Sequence, residues 1–237
     1  MKKLTILIVF FTILSNAQNT IYVQYKLQIV DDNEIFKGKL EMRETFLKIV
    51  NEPNKPSFGL IFSDNKSIFF KEDRIGTNSE NNLIDAFAGY GGIIYSKKDS
   101  IYIQKRNLGK NIFLGKGKTE NWILENDSKF IDGRLCYKAT NTNKIINQIK
   151  TFYHPVVAWY CPELPFNIGP NGYGNLPGAI LELQVRNVVF TMETMNLKSQ
   201  EKFDNNLLKN SKILSEEEVN NIYMNMHEAD MKKYNNR

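Results

Sequence analysis

Apolar and polar residues alternate along most of this chain, and the alternation has the period of a β-strand. Near the start, Ile21, Val23, Tyr25, Leu27 and Ile29 are separated by Tyr22, Gln24, Lys26 and Gln28, the pattern of a strand with one buried face. Asp31-Asp32-Asn33 then reads as a turn. Residues 39–50 read as a second strand, with Leu40, Met42, Phe46 and Ile49 available for burial. Residues 57–62 and 67–71 read as a hairpin around Asp64-Asn65, and 93–95 and 100–104 as two more strands. Residues 77–82 are polar and 88–92 glycine-rich, so both read as loop, and an edge strand is expected within 107–118. Residues 122–125 and 134–139 flank Asp132-Gly133, another hairpin signal. Residues 148–160 are extended and aromatic but interrupted by Pro155. Because proline donates nothing to a ladder, that strand is expected at an edge or with a bulge. Residues 179–186 and 188–195 form the last hairpin signal.

The period changes only near the C-terminus. Residues 198–212, apart from Phe203, Leu207 and Leu208, are polar and read as a linker. Ser215 followed by Glu218 is a capping box, and Val219, Ile222, Tyr223, Met226 and Ala229 then share one helical face. Glu216 to Glu218 at the helix start and Lys232-Lys233 near its end suit the helix dipole. The expectation is a mainly β chain: a curved antiparallel sheet or open β-barrel of about ten strands. A C-terminal α-helix should pack on that sheet, giving one domain over 18–237 with linker and helix in 198–237.

The first residues change the picture of where the protein works. Met1-Lys2-Lys3, an apolar run over 4–14 and the small residues Ser15 and Ala17 read as a signal peptide spanning 1–17. The apolar run of 11 residues is too short for a bilayer, which needs about 20. Residue 18 is Gln and not Cys, so no lipid-attachment site follows, and no later segment reaches transmembrane length. The chain is therefore expected to be exported, to the periplasm or the outer-membrane surface. Loss of Lys2 and Lys3 lowers the formal charge from +5 to +3, too small an excess to suggest nucleic acid. Lys97-Lys98, Lys105-Arg106 and Lys116/Lys118 are the densest basic groups. They read as a solvated face, with a site for an anionic ligand as the alternative.

Cys136 and Cys161 are a candidate disulfide in an oxidising compartment, and two buried free thiols are the other reading. Only His154 and His227 are available to join them, so no metal site is expected. The sequence has no Gly-x-Ser-x-Gly elbow, no His-Glu-x-x-His and no phosphate loop. No catalytic residue and no cofactor is assigned. Two weaker constellations remain: Cys161 with His154 as base, and Glu163 with Glu182 as a carboxylate pair.

The densest feature is the run 158–183, which carries eight Gly and Pro residues after Cys161. Pro162, Pro165, Pro170 and Pro177 fix backbone angles, while Gly169, Gly172, Gly174 and Gly178 permit turns closed to other residues. Aromatic residues surround it, among them Trp122, Trp159, Tyr160, Phe166 and Tyr173. Such rings serve core and binding surface alike. Trp159, Tyr160, Glu163, Phe166, Tyr173, Pro177 and Gly178 are the candidate contacts for a ligand or partner.

Residues 122–186 resemble the GLPGLI family of exported Bacteroidetes proteins. Asn175-Leu176-Pro177-Gly178-Ala179-Ile180 matches the naming hexapeptide at four of six positions. Asn175 replaces its first Gly, a change that suits a left-handed backbone. Trp122, Ile131-Asp132-Gly133, Cys136-Tyr137-Lys138-Ala139, Ala158-Trp159-Tyr160, Pro162-Glu163-Leu164-Pro165 and Gly169-Pro170 carry the rest of the likeness. The resemblance implies an accessory protein of the envelope and supplies no catalytic residues. The expected role is thus a non-enzymatic binding module acting through 159–178, with an outer-membrane protein partner or a hydrophobic ligand. A periplasmic carrier of lipid is the second expectation and a hydrolase using Glu163 and Glu182 the third.

Overall fold

The computed structural model describes residues 20–72, 81–118, 121–146 and 151–235. The leader read at 1–17 and most of the polar stretch at 77–82 lie outside the described residues. The chain opens with β1 (Thr20–Ile29), α1 (Leu40–Asn51), β2 (Ser57–Ser63), β3 (Lys66–Lys71) and α2 (Asn81–Phe87). Next come β4 (Ile94–Lys97), β5 (Ser100–Gln104), β6 (Ile112–Gly117), β7 (Ile123–Ile131), β8 (Arg134–Ile146) and β9 (Thr151–Cys161). A single 3-10 turn at Pro170–Gly172 precedes β10 (Ala179–Val185), β11 (Val188–Ser199), β12 (Lys212–Leu214) and α3 (Glu216–Asn235).

The twelve strands of the described residues form one open sheet in the order β12-β6-β5-β4-β3-β2-β1-β11-β10-β9-β8-β7. Every pairing is antiparallel except β12 with β6. Seven strands separate β5 from β8 in that order, so a flat sheet would hold them about 38 Å apart at about 4.8 Å per strand. Ile101 and Ile103 of β5 instead line one cleft with Asn141 and Asn143 of β8. The sheet therefore curls toward a barrel and stops short of closing, which leaves a seam between its two limbs.

The inner face of the curl is filled. Ile21, Val23, Tyr25, Leu27 and Ile29 are all buried, as the alternation in β1 predicts. Phe58 stacks on Phe69 at 5.2 Å between ring centres, and Phe190 meets both edge-on at 5.4 and 5.9 Å. Tyr90 closes the cluster against Phe58 at 5.0 Å. Rings in edge-to-face contact add to the burial of their large area.

Residues 39–50 form α1, not the expected strand. Leu40 and Met42, which created the appearance of a two-residue period, are exposed at 74% and 46%. The buried pair is Phe46 and Ile49, three residues apart and so on one helical face. Arg43 ties the helix back to the preceding turn through Asp31 at 2.7 Å and the Asp32 carbonyl at 2.9 Å. Phe46 then meets Phe36 and Phe87, which brings α1 and α2 together over one end of the sheet.

Pro155 also departs from expectation. β9 lies in the interior of the sheet, paired with β8 and β10, and Pro155 stands opposite Thr142. In an antiparallel ladder the N and O of one residue face the same neighbour. The Pro155 carbonyl accepts from Arg186 N at 2.8 Å, so its missing N–H falls where β10 has just ended. The linker expected over 198–212 leads into a short strand, β12, which starts at its last residue and whose Leu214 packs with Leu114 and Val219. Three residues are too few for a sequence period to show.

α3 begins where the capping box predicts. Ser215 N–H donates to Glu218 Oε2 at 2.7 Å and Glu218 N–H to Ser215 Oγ at 3.2 Å. Val219 is buried and Ile222 and Tyr223 are half-buried against β6, while Met226 is 48% exposed. The first two turns of the helix thus rest on the sheet.

Candidate functional site

The loop 162–178 crosses the inner face of the curled sheet, and its backbone is satisfied locally. Leu164 N–H donates to Cys161 O, Ala179 N–H to Leu164 O and Ile180 N–H to Ile168 O, at 3.1, 2.9 and 2.9 Å. Leu164, Ile168, Gly169, Pro170, Gly172 and Leu176 are buried. The loop is part of the core.

A bulge in β10 makes this possible. Ile180 opposes Tyr160 and Glu182 opposes Trp159, so Leu181 is an extra residue. The Ile180 carbonyl accepts from the buried Tyr25 hydroxyl at 2.8 Å, and its N–H reaches the loop. Two backbone groups thus bond into the core instead of remaining unsatisfied. Just before the bulge, Gly178 has φ +153, and a Cβ there would lie 2.2 Å from the Cys161 carbonyl oxygen. Asn175 takes φ 59, the left-handed conformation its replacement of glycine predicts. It is braced by Asn167, whose Oδ1 accepts from Asn175 N–H. Trp122 Nε1 donates to Gly174 O at 2.8 Å and anchors the tip of the loop to the start of β7.

The parts of the loop left at the surface wall a series of clefts. Asn171 and Tyr173 line one of about 820 Å³ with Phe36, Phe87, Phe152 and Arg186. The same two residues line a second, of about 520 Å³, in the seam between β5–β6 and β8. Gly89 and Asn143 border both as well, so the two run into each other beneath Tyr173. Asn167 and Ile168 wall a third, of about 410 Å³, which meets the second at Lys118. Pro177 and Leu176 line a fourth beside Trp122 and Leu124, of about 510 Å³. Volumes of this size suit small ligands or segments of polymers.

The residues singled out from the sequence fall into separate places. Tyr173 and Pro177 line clefts. Tyr160 is buried with its ring 6.3 Å from that of Tyr137, and burial, then the neighbouring Tyr137, raises its phenol. Phe166 packs on Phe62 at 5.9 Å. Gly178 acts through its backbone. Trp159 is half-buried beneath Lys129, whose Nζ lies 4.5 Å from the ring centre. Lys129 also pairs with Glu182 at 2.8 Å. Glu163 is exposed in the turn after β9, while Glu182 is taken up by that ion pair.

The β8–β9 register that pairs Tyr137 with Tyr160 runs on to set Cys136 against Cys161. Both thiols are free and buried. Burial pushes the Cys136 thiol up to about 12, and the adjacent Cys161 adds to the effect. His154 cannot act as base for Cys161. The two lie on one strand, seven residues apart, a rise of about 23 Å. His154 instead borders the largest cleft, where burial and then the charge of Arg186 lower its pKa.

Asn171, Asn143 and Arg186 did not stand out in the sequence. Asn171 sits between Pro170 and Gly172, a turn signal, and takes φ 52. Asn143 and Arg186 carry no local signal, because only the curl of the sheet brings them to the loop.

A family model described as a protein of unknown function, Porph_ging, matches residues 148–182. That stretch takes in β9, the whole loop and the bulge of β10. No curated protein matches the sequence. Two solved structures of PNGF-II, in C2 and P21 space groups, each superpose with a TM-score of 0.51 at 14% identity. The likeness is one of fold. It covers 84% and 83% of this chain but 31% of the PNGF-II chain in each case, so this chain spans about a third of the length of those structures.

Proposed function

We propose that the chain is an exported, non-enzymatic binding or accessory protein of the cell envelope, of the GLPGLI type, that holds its ligand through the loop 159–178. One observation carries this reading: the loop that is locked into the core is also the wall of four adjoining clefts. A surface held by buried backbone is set before a ligand arrives, and preorganisation lowers the entropic cost of binding. Tyr173 is the centre of the site, since it borders the two largest connected clefts. The leader-like start of the chain supports export to the periplasm or the outer-membrane surface. In that compartment the neighbouring thiols of Cys136 and Cys161 close a cross-strand disulfide, with their two protons released and the electron pair passed to a disulfide-bearing oxidant.

The test is native mass spectrometry of the mature protein purified from its producing cells, as wild type and as Tyr173→Ala. The wild type should carry a bound small molecule, oligomer or envelope partner that the variant has lost.

A further inference from the structure

Two of the basic groups that stand out in the sequence, Lys97-Lys98 and Lys116/Lys118, meet at the clefts. Pairing of β3 with β4 sets Lys66 directly opposite Lys97, and Lys98 follows in a turn with φ 51. With Lys118 they line the cleft of about 410 Å³, where Asp64 is the sole carboxylate among the described residues of the lining. Lys118 also borders the seam cleft, together with Lys116 from β6 and Lys144 from the opposite limb. Among the described residues, no carboxylate lines that second cleft.

Like charges set opposite each other in a sheet destabilise it. Salt bridges between described residues engage other side chains and leave Lys66, Lys97, Lys98, Lys116 and Lys144 unneutralised. Lys66 donates to the neutral amide of Asn205 at 3.0 Å. Lys105, outside the lining, is held below the usual lysine range by burial and then by the charge of Lys116, against the opposing pull of Glu216. An incoming anion would relieve this crowding.

Between the lysines the lining changes character. Asn141, Thr142, Asn143 and Asn171 line the seam cleft together with Tyr173, whose ring lies 6.1 Å from that of Trp122. Side-chain amides donate and accept together, as a ligand rich in hydroxyl groups requires. A tyrosine ring offers a flat apolar face with a polar edge, which fits the face of a sugar ring. Lipid phosphate would need no such row of amides.

We propose that the adjoining clefts bind an anionic polysaccharide, one carrying carboxylate or sulfate groups. Lys66, Lys97, Lys98 and Lys116 meet its charges, and Asn143, Asn171 and Tyr173 hold its rings. This rests on the reading of the Tyr173 clefts as the ligand site and adds the class of ligand.

The experiment is affinity electrophoresis of the mature chain through gels containing polygalacturonate, dextran sulfate or neutral dextran, with flotation on anionic phospholipid vesicles alongside. The wild type should be retarded by both charged polymers more than by dextran, and less so as salt is raised. Lys97→Gln with Lys98→Gln, two exposed positions, should weaken retention by polygalacturonate at least about tenfold, the scale of a lost charge-assisted contact. Equal retardation by dextran, retention unchanged in the lysine variant, or binding to vesicles alone would each overturn the assignment. Failure here leaves the Tyr173→Ala comparison unaffected, because that comparison uses whatever ligand the cells supply.

Discussion

At the scale of single residues, the hexapeptide 175–180 is a device for turning the chain out of a packed loop and into a bulged strand. Its side chains matter less than its backbone. Gly178 combines a φ of +153 with the Cys161 carbonyl where a Cβ would stand. Gly178→Ala is therefore expected to destabilise the fold by about 3 kcal/mol or more, from backbone strain and displaced packing together. A urea titration measures this, and a midpoint close to wild type would remove Gly178 from its structural role. The rigidity of this segment was legible in its Gly and Pro residues, and the left-handed turn at Asn175 in the residue itself. Its burial was not. Nothing local says that Leu164, Ile168 and Leu176 pack inward while Glu163 and Pro177 face out, because the covering surface comes from β1 through β5.

At the scale of elements, the strands were legible wherever one face is buried and the other is wet, as in β1. The reading failed where chance spacing imitated that rule. Leu40 and Met42 suggested a strand in what is α1, and the burial of Phe46 with Ile49 decided for the helix. The start of α3 was legible because its cap is local chemistry. Its first two turns rest on β6, so the capping box sits at the end of the helix that packs. Ser215→Ala removes one side of that box and should cost about 1 kcal/mol of helix stability. Hydrogen exchange along 216–223 would report it as faster exchange confined to those amides. An unchanged rate would mean that packing of Val219 alone holds the helix end.

At the scale of the molecule, closure is what the sequence could not state. Either a curved sheet or an open barrel met the expected strand count, and the choice depends on how far seven intervening strands twist. The result is an open sheet whose seam, floored by the loop, collects residues far apart in the chain. The same packed interior governs the response to alkali. Burial raises the phenols of Tyr25, Tyr90 and Tyr160 and, in the reduced protein, the thiol of Cys136. The folded state keeps these protons at a pH where the unfolded chain releases them. Their stabilisation is complete below the unfolded values, about 8.5 for a thiol and about 10 for a phenol, and falls as pH rises above them. Urea midpoints should thus decline from about pH 9 upward. Cys136→Ala should lessen the earliest part of that decline, and a midpoint constant to about pH 11 would contradict the burial of these groups.

The proposed ligand site has Tyr173 at its centre, presented by a loop built into the core. Native mass spectrometry of wild type and Tyr173→Ala, each purified from the producing cells and shown to be folded by near-ultraviolet circular dichroism, tests it most directly. The account predicts a bound species on the wild type and none on the folded variant. A bare wild type, or a variant that keeps the same bound species, would contradict it.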